Sequence, residues 1–201
     1  AVVTSCPVRA EFFKAAARKP EPPFRLLITG GSLGALPINR TIVDSLDRLA
    51  SRKAQLSIVH QTGERDYHAV RTAYARREIQ AEVVPFLSNM AERFAQADVI
   101  LCRSGAITVA EVAAAGRAAI FIPFGHATDR HQLRNAQSLE RLGAARVIPE
   151  QELTADRLAS EIFSLIDQPS RIAAMGSRAR ALARPRAAED IVNLIEEAAR
   201  R

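Results

Sequence analysis

The hydrophobic positions of the chain form six short apolar runs, separated by segments with helical periodicity. The runs are rich in Val, Ile and Leu without strict alternation, which is typical of strands covered on both faces. They span residues 24–29, 56–60, 81–86, 98–102, 118–122 and 144–148. Six strand–helix alternations predict an α/β fold with a Rossmann-like, doubly wound parallel sheet of about six strands, because right-handed crossovers place helices on both faces.

Local signals predict where several helices begin and end. Ser88 is expected to cap the segment that carries Met90 and Phe94. Gly116 and Gly143 are expected to end the helices before them, because glycine adopts the left-handed conformation found after a last helical turn.

The chain is expected to divide into a connector, a sheet domain and a terminal helix. The connector contains consecutive prolines, which stiffen it, and the terminal helix is expected to bury Ile191, Leu194 and Ile195. The predicted boundaries are 1–23, 24–185 and 186–201.

Composition narrows the class of protein. The chain of 201 residues has a net charge of +6, which favours acidic partners such as phosphates. Aromatic residues make up only 5%, so stacking of nucleic-acid bases is not expected. No apolar stretch is long enough to span a membrane, and the two cysteines, Cys6 and Cys102, suit a reducing compartment.

A glycine-rich loop, Gly30-Gly31-Ser32-Leu33-Gly34, follows the first predicted strand and precedes the first helix. Such a loop lets backbone N–H groups approach a phosphate at the positive end of a helix, although a tight turn alone would also need glycine. A phosphate-cleaving P-loop would end in Lys and Ser or Thr, and this one does not. A dinucleotide site would need a carboxylate at the end of the second strand, where His60-Gln61-Thr62-Gly63 offers none.

A second small-residue turn follows the fourth run and leads to a carboxylate. Glu111 lies about one turn inside the helix that opens after Gly105, among apolar neighbours. Its two acceptor oxygens suit the vicinal hydroxyls of a ribose. Capping of a nearby backbone group explains the spacing equally well.

A polar loop after the fifth run carries further candidates. Gln132 and Asn135 share one helix face and could bind sugar hydroxyls. A metal site formed by His126, Asp129 and His131 competes with that interpretation, but no further ligand cluster supports it, and no metal is predicted. A hydrolase nucleophile at Ser104 is disfavoured because the surrounding residues lack the Gly-x-Ser-x-Gly elbow.

Several motifs in register resemble the C-terminal, donor-binding domain of the MurG family of peptidoglycan N-acetylglucosaminyltransferases. They are the loop at 30–35, Phe86-Leu87 with Met90, Ala97-Asp98, the segment 102–111, Ala115-Gly116, Pro123-Phe124 and the segment 129–136. Pro7-Val8-Arg9 is similar to the end of the family's interdomain segment, with Ser5-Cys6 in place of Gly-Asn. The resemblance implies the C-terminal half of a GT-B glycosyltransferase.

The family's binding roles, transferred to matching positions, imply a site for UDP-GlcNAc and no cofactor. Arg9 and Leu87 would lie near the uracil, the glycine loop near the diphosphate, Glu111 at the ribose and Gln132 at the sugar. The residues implied in binding are Arg9, Gly31, Ser32, Gly34, Leu87, Arg103, Ala106, Ile107, Thr108, Val109, Ala110, Glu111, His131, Gln132 and Asn135.

The resemblance also implies transfer of GlcNAc to the muramoyl-pentapeptide of lipid I, in cell-wall synthesis, at the cytoplasmic face of the bacterial inner membrane. The acceptor site and catalytic base belong to the family's N-terminal domain, so this chain alone is expected to bind UDP-GlcNAc weakly and to transfer nothing. Two alternatives stay open: a separate donor-binding subunit that docks onto a membrane partner, and a non-catalytic nucleotide-sugar sensor.

Overall fold

A six-stranded parallel sheet forms the centre of the fold in the computed structural model, which describes residues 4–16, 18–125 and 131–200. The strands are β1 (Phe24–Thr29), β2 (Leu56–Gln61), β3 (Ala81–Val84), β4 (Val99–Cys102), β5 (Ala118–Phe121) and β6 (Ala145–Val147). Their order is β3-β2-β1-β4-β5-β6. Strands β2 and β3 are therefore added on one side of β1, and β4, β5 and β6 on the other, so the strand order reverses between β1 and β4. The predicted Rossmann-like, doubly wound sheet is confirmed.

Helices cover both faces of this sheet. They are α1 (Ala10–Phe13), α2 (Leu36–Ala50), α3 (Tyr67–Arg76), α4 (Met90–Gln96), α5 (Ala106–Ala115), α6 (His131–Arg141), α7 (Ala155–Ile166), α8 (Pro169–Ala181) and α9 (Ala187–Ala199). Short 3-10 turns occupy Lys53–Gln55 and Glu150–Glu152. Helices α5 and α6 end before Gly116 (φ 62°) and Gly143 (φ 64°), as predicted.

The apolar face of α2 anchors the core on one side of the sheet. Ile38, Ile42, Leu46 and Leu49 recur at helical spacing and are completely buried. Burial of each such side chain stabilises the fold by about 1.5–3 kcal/mol. The tight packing of α2 fixes the position of its N-terminus, and therefore of the loop that precedes it.

Two local predictions are wrong. Helix α4 begins at Met90 with Asn89 as the N-cap residue, so Ser88 does not cap it. In α9 only Ala187 is buried, and Ile195 is 63% exposed. Ile191 and Leu194 are only partly buried, so the amphipathic pattern alone overestimated the burial of this face.

The segment before β1 packs against the domain. Phe12 is completely buried, and its ring meets that of Phe94 edge-on with centroids 5.3 Å apart. Arg117 and Arg180 donate hydrogen bonds to backbone carbonyls of this segment. The segment is therefore attached to the domain between Phe12 and Ala16, and the predicted division of the chain into connector, domain and terminal helix stays a prediction.

A buried hydrogen-bond network connects His60 of β2 to helices α2 and α3. Asn39 donates from Nδ2 to the Thr62 carbonyl oxygen (2.9 Å) and to Asp66 Oδ2 (2.7 Å), so its Oδ1 accepts from His60 Nε2 (3.0 Å). The Tyr74 hydroxyl then donates to Nδ1 (3.2 Å). This set of donors requires a neutral imidazole, and burial lowers the pKa of His60 to about 3.

The stability of the chain is expected to fall as the pH falls below 6.5 because of this histidine. The unfolded state binds the proton near pH 6.5, whereas the folded state resists it down to about pH 3. The expected loss is about 2 kcal/mol between pH 7.5 and 5.0. Urea unfolding at both pH values gives the loss in the free energy of unfolding on acidification. This loss should be about 2 kcal/mol larger in the wild type than in His60→Gln, because the titration of carboxylates is common to both. Equal differences would contradict the prediction.

Candidate functional site

A cleft of about 260 Å³ opens at the carboxyl ends of β1 and β4, where the strand order reverses. Parallel α/β sheets bind ligands at this position because the loops after the two strands diverge there. The cleft brings together six of the predicted site residues, from three separate parts of the chain. They are Gly31, Ser32, Leu87, Arg103, Thr108 and Glu111.

The glycine loop forms one wall of the cleft. Gly31 has φ 87° and a side without any atom within 4 Å of an added Cβ, so its backbone is accessible. Gly34 has φ 74°, and a Cβ there would lie 1.8 Å from the Thr62 carbonyl oxygen. A Cβ at Gly63 would likewise lie 2.2 Å from the Leu33 carbonyl oxygen. The two glycine turns thus touch backbone to backbone, and the loop has little freedom to move towards β2.

Gln61 supports the loop from below and was not identified from the sequence. Its Nε2 donates to the carbonyl oxygens of Gly31 (2.8 Å) and Pro85 (3.2 Å), and its Oε1 accepts from the Thr29 hydroxyl (2.6 Å). Gln61 is only 1% exposed. Gln61 stands at the end of the second strand, where dinucleotide-binding folds have a carboxylate that binds a ribose. Here the side-chain amide binds backbone carbonyl oxygens instead. The sequence does not reveal this role, because it depends on how the glycine loop folds against Gln61.

The second turn presents a helix N-terminus to the same cleft. Gly105 is the N-cap residue of α5 and has no side chain to satisfy the first amides, which therefore remain as donors towards a ligand. Ala106 and Ile107 open the helix, and Ile107 is 62% exposed. With the positive end of its dipole at the cleft, α5 favours bound negative charge.

Glu111 lies one turn further along α5, half-buried at the back of the cleft. Burial raises the pKa of its carboxyl group, while the positive charge of Arg9 acts in the opposite direction. Arg9 is exposed, with its guanidinium 5.3 Å from the centroid of the Phe12 ring. It lines a neighbouring depression that shares Met90 with the cleft.

Arg103 is held in place at the other side of the cleft. Its guanidinium forms an ion pair with Glu150 and lies 5.3 Å from the centroid of the Phe124 ring. Nη1 also donates to the carbonyl oxygens of Ile122 (3.2 Å) and Pro123 (3.3 Å). These contacts tie the loop after β5 to the loop after β4.

The predicted residues of α6 lie beside the cleft rather than in its lining. Gln132 Oε1 accepts from the backbone N–H of Phe124 (3.1 Å), which leaves the Gln132 amide nitrogen as its donor. Asn135 donates to the Ser104 carbonyl oxygen (3.2 Å). The Ser104 hydroxyl is completely buried and donates to the Gln132 carbonyl oxygen (2.9 Å), so it cannot act as an exposed nucleophile. His131 begins α6.

The remaining predicted residues, Val109 and Ala110, follow within α5. The metal-site alternative rested partly on His126 and Asp129, which lie outside the described residues. Within residues 4–16, 18–125 and 131–200, no group of three His, Cys, Asp or Glu side chains is arranged to hold a metal ion. Over the same ranges, no helix is long and apolar enough to cross a membrane.

The glycine turns at the switch point and the order of the six strands define the class of the protein as a Rossmann-like α/β domain with a cleft suited to a phosphate group. The profile described as "Glycosyltransferase family 28 C-terminal domain" matches residues 25–191. Because this match spans most of the chain, the chain belongs to the glycosyltransferase family 28 C-terminal domain family.

Curated relatives make the resemblance more specific. A protein from Aromatoleum aromaticum is 47% identical over 88% of this chain and 49% of its own length. One from Geobacter sulfurreducens is 49% identical over 85% of this chain and 47% of its own length. Both are named UDP-N-acetylglucosamine–N-acetylmuramyl-(pentapeptide) pyrophosphoryl-undecaprenol N-acetylglucosamine transferase. The chain thus spans about half the length of these relatives.

Solved structures agree with the predicted fold class. MurG from Acinetobacter baumannii superposes with a TM-score of 0.81 at 33% identity, covering 92% of this chain and 55% of that one. The UDP-GlcNAc 2-epimerase from Neisseria meningitidis bound to UDP-GlcNAc has a TM-score of 0.61 at 16% identity, over 89% of this chain and 45% of its own, and shows the fold alone. The prediction of a GT-B C-terminal half, resembling MurG, is confirmed.

Proposed function

We propose that this chain is the donor-binding half of an inverting glycosyltransferase that moves GlcNAc from UDP-GlcNAc to the muramoyl-pentapeptide of lipid I, forming lipid II. The observation that carries the proposal is the cleft, which brings an open glycine turn, an uncapped helix N-terminus and a half-buried carboxylate together at the switch point. The names of the relatives supply the donor and the acceptor.

Each group in the cleft matches one part of a nucleotide sugar. The amides of Gly31 and Ser32 and the first amides of α5 would bind the diphosphate, since both present N–H groups to a negative charge. Glu111 would accept from the two ribose hydroxyls. Leu87, which is buried in the cleft wall, would lie near the base together with Arg9.

The sugar would extend towards α6. The amide nitrogen of Gln132 would donate to sugar hydroxyls, with His131 and Asn135 nearby. Gln132 is anchored through its other amide atom by the Phe124 backbone. An amide fixed at one end binds a hydroxyl more tightly than a mobile one, because less side-chain entropy is lost on binding.

The same groups would stabilise the departing UDP. As the acceptor hydroxyl attacks the anomeric carbon, the bond to the diphosphate breaks and negative charge accumulates on its oxygens. Fixed backbone amides of the glycine loop and of the first turn of α5 would already be in place for this charge, so little reorganisation is needed in the transition state. The partner and location that follow are an undecaprenyl-linked acceptor held by an N-terminal domain, at the cytoplasmic face of the bacterial inner membrane, without nucleic acid.

The 201-residue chain by itself is expected to bind UDP and UDP-GlcNAc weakly, to ignore NAD, and to transfer no sugar. Titration calorimetry with the three ligands measures binding, and transfer of labelled GlcNAc to a lipid I analogue measures turnover. Absence of binding by both uridine ligands, with folding confirmed by circular dichroism, would contradict the donor site. Turnover by the chain alone would contradict the proposal that it is only half of the active site.

A further inference from the structure

A second cavity, of about 270 Å³, lies at the opposite end of the sheet from the cleft, where β4 and β5 begin. Among the described residues, three arginines, Arg18, Arg117 and Arg180, line it together with one carboxylate, Asp98. We call it the arginine pocket. None of its lining residues belongs to the cleft described above.

Arg117 is the deepest of the three arginines and is only 5% exposed. Its Nε donates to the Phe94 carbonyl oxygen (3.1 Å), and its Nη2 donates to those of Ala16 (2.8 Å) and Ala95 (2.6 Å). Within the described residues, Arg117 has no carboxylate partner. Carbonyl oxygens accept its hydrogen bonds without adding a full negative charge, and a guanidinium stays protonated in proteins.

Arg180 adds a second guanidinium, whose hydrogen bonds to the described part of the chain all go to backbone carbonyls. Its Nη1 donates to the Phe13 carbonyl oxygen (3.0 Å), and its Nη2 donates to those of Ala15 and Ala115. Burial and the nearby charge of Arg180 lower the pKa of Arg117, whereas Asp98 acts in the opposite direction. The two guanidiniums therefore repel each other across the pocket.

Asp98 is already committed to other partners. One oxygen accepts from Arg18 Nε (2.6 Å), and the other accepts from the backbone N–H of Arg25 (2.8 Å). The carbonyl ends of α4 and α5 contribute about half a negative charge each. Three positive charges thus face one carboxylate and two helix ends, which leaves about one positive charge uncompensated.

The walls of the pocket leave room for a ligand. Small residues, including Gly116, Gly176 and Ala173, line it, and Ser177 places an exposed hydroxyl at its mouth. Guanidinium groups match the oxygens of a phosphate with paired hydrogen bonds. We propose that the arginine pocket binds a phosphoryl anion, supplied either as free inorganic phosphate or as the headgroup of an acidic phospholipid. This proposal does not rest on the proposed function.

The test introduces a permanent anion into the pocket. Ser177→Glu places a carboxylate at the mouth, Ser177→Gln adds similar bulk without charge, and Ser160→Glu makes the same charge change on an exposed position of α7, away from the pocket. Thermal unfolding of each full chain is followed against inorganic phosphate at constant ionic strength. Sedimentation with phosphatidylglycerol vesicles, and with neutral phosphatidylcholine vesicles, tests the lipid source.

Inorganic phosphate at ten times its dissociation constant is expected to raise the Tm of the wild type and of Ser160→Glu by about 3 °C. Ser177→Glu should start with a higher Tm and respond little, and Ser177→Gln should respond at an intermediate level. If the protein binds phosphatidylglycerol vesicles and only Ser177→Glu, among the three variants, abolishes this binding, the ligand is a lipid headgroup. If the protein responds to inorganic phosphate but not to the vesicles, the ligand is the free anion. A response that is equal in wild type and Ser177→Glu, or absent with both probes, would overturn the proposal.

Discussion

Replacing Glu111 by alanine is expected to weaken the binding of UDP-GlcNAc and of UDP by about 10- to 100-fold, because losing a charged hydrogen-bond acceptor costs about 1.5–3 kcal/mol in difference measurements. The carboxylate lines the cleft and is only partly hydrated, so water replaces the lost contacts poorly. Titration calorimetry on the purified chain measures the change. Glu111→Gln, which keeps one acceptor, should lie between alanine and wild type.

The pH dependence of binding gives a second readout for the same residue. Since burial raises the pKa of the Glu111 carboxyl group, the ionised acceptor is lost at a higher pH than for an ordinary glutamate. UDP affinity should therefore fall on mild acidification in the wild type and less in Glu111→Gln. Protonation of Glu111 itself should not lower folding stability, because it removes a charge that burial disfavours, and the fall caused by His60 is common to the wild type and Glu111→Gln.

Glu189→Ala serves as the matched control for this prediction. Glu189 is exposed on α9 and pairs with Arg186, far from the cleft in sequence. Its replacement should leave UDP affinity unchanged. If Glu111→Ala also left the affinity unchanged, Glu111 would have a local capping role and no role in ribose binding.

Replacing Gly34 by alanine is expected to destabilise the chain by about 3 kcal/mol or more and to lower its Tm by about 6–12 °C. The added Cβ would lie 1.8 Å from the Thr62 carbonyl oxygen, a backbone atom that cannot rotate away. The positive φ of 74° adds strain of its own. Urea unfolding measures the loss directly.

Gly31→Ala separates conformational strain from the clash. Gly31 also has a positive φ, of 87°, but an added Cβ would meet no atom within 4 Å. This variant should therefore lose only about 1 kcal/mol. Equal losses in the two variants would show that the contact between the glycine turns contributes nothing beyond the backbone conformation.

The strands and the position of the site were accessible from the sequence because both depend on local patterns. The apolar run at 24–29 coincides with β1 residue for residue. The third run was predicted to extend to Phe86 but ends at Val84, because Pro85 has no N–H to continue the ladder. Once parallel strands were predicted, the loops that follow them had to meet at one edge of the sheet.

Contacts between distant parts of the chain could not be predicted in the same way. The support that Gln61 gives to Gly31 and the approach of Gly34 to Thr62 depend on the register between β1 and β2. The exposure of Ile195 depends on what lies next to α9, which helical periodicity does not encode. The roles assigned to the cleft residues stay predictions until ligand binding is measured.

The anchoring of the first segment determines how force would pass through the molecule. Arg180 and Arg117 grip the carbonyl oxygens of Phe13, Ala15 and Ala16, and the Phe12 ring is locked into the interior. A force that pulls on the chain before Arg9 would therefore be transmitted to the C-terminal ends of α5 and α8. The prolines at 20–23 follow these contacts in the chain, so the contacts would carry the force before it reached the prolines. A hinge at this end of the chain would therefore precede α1.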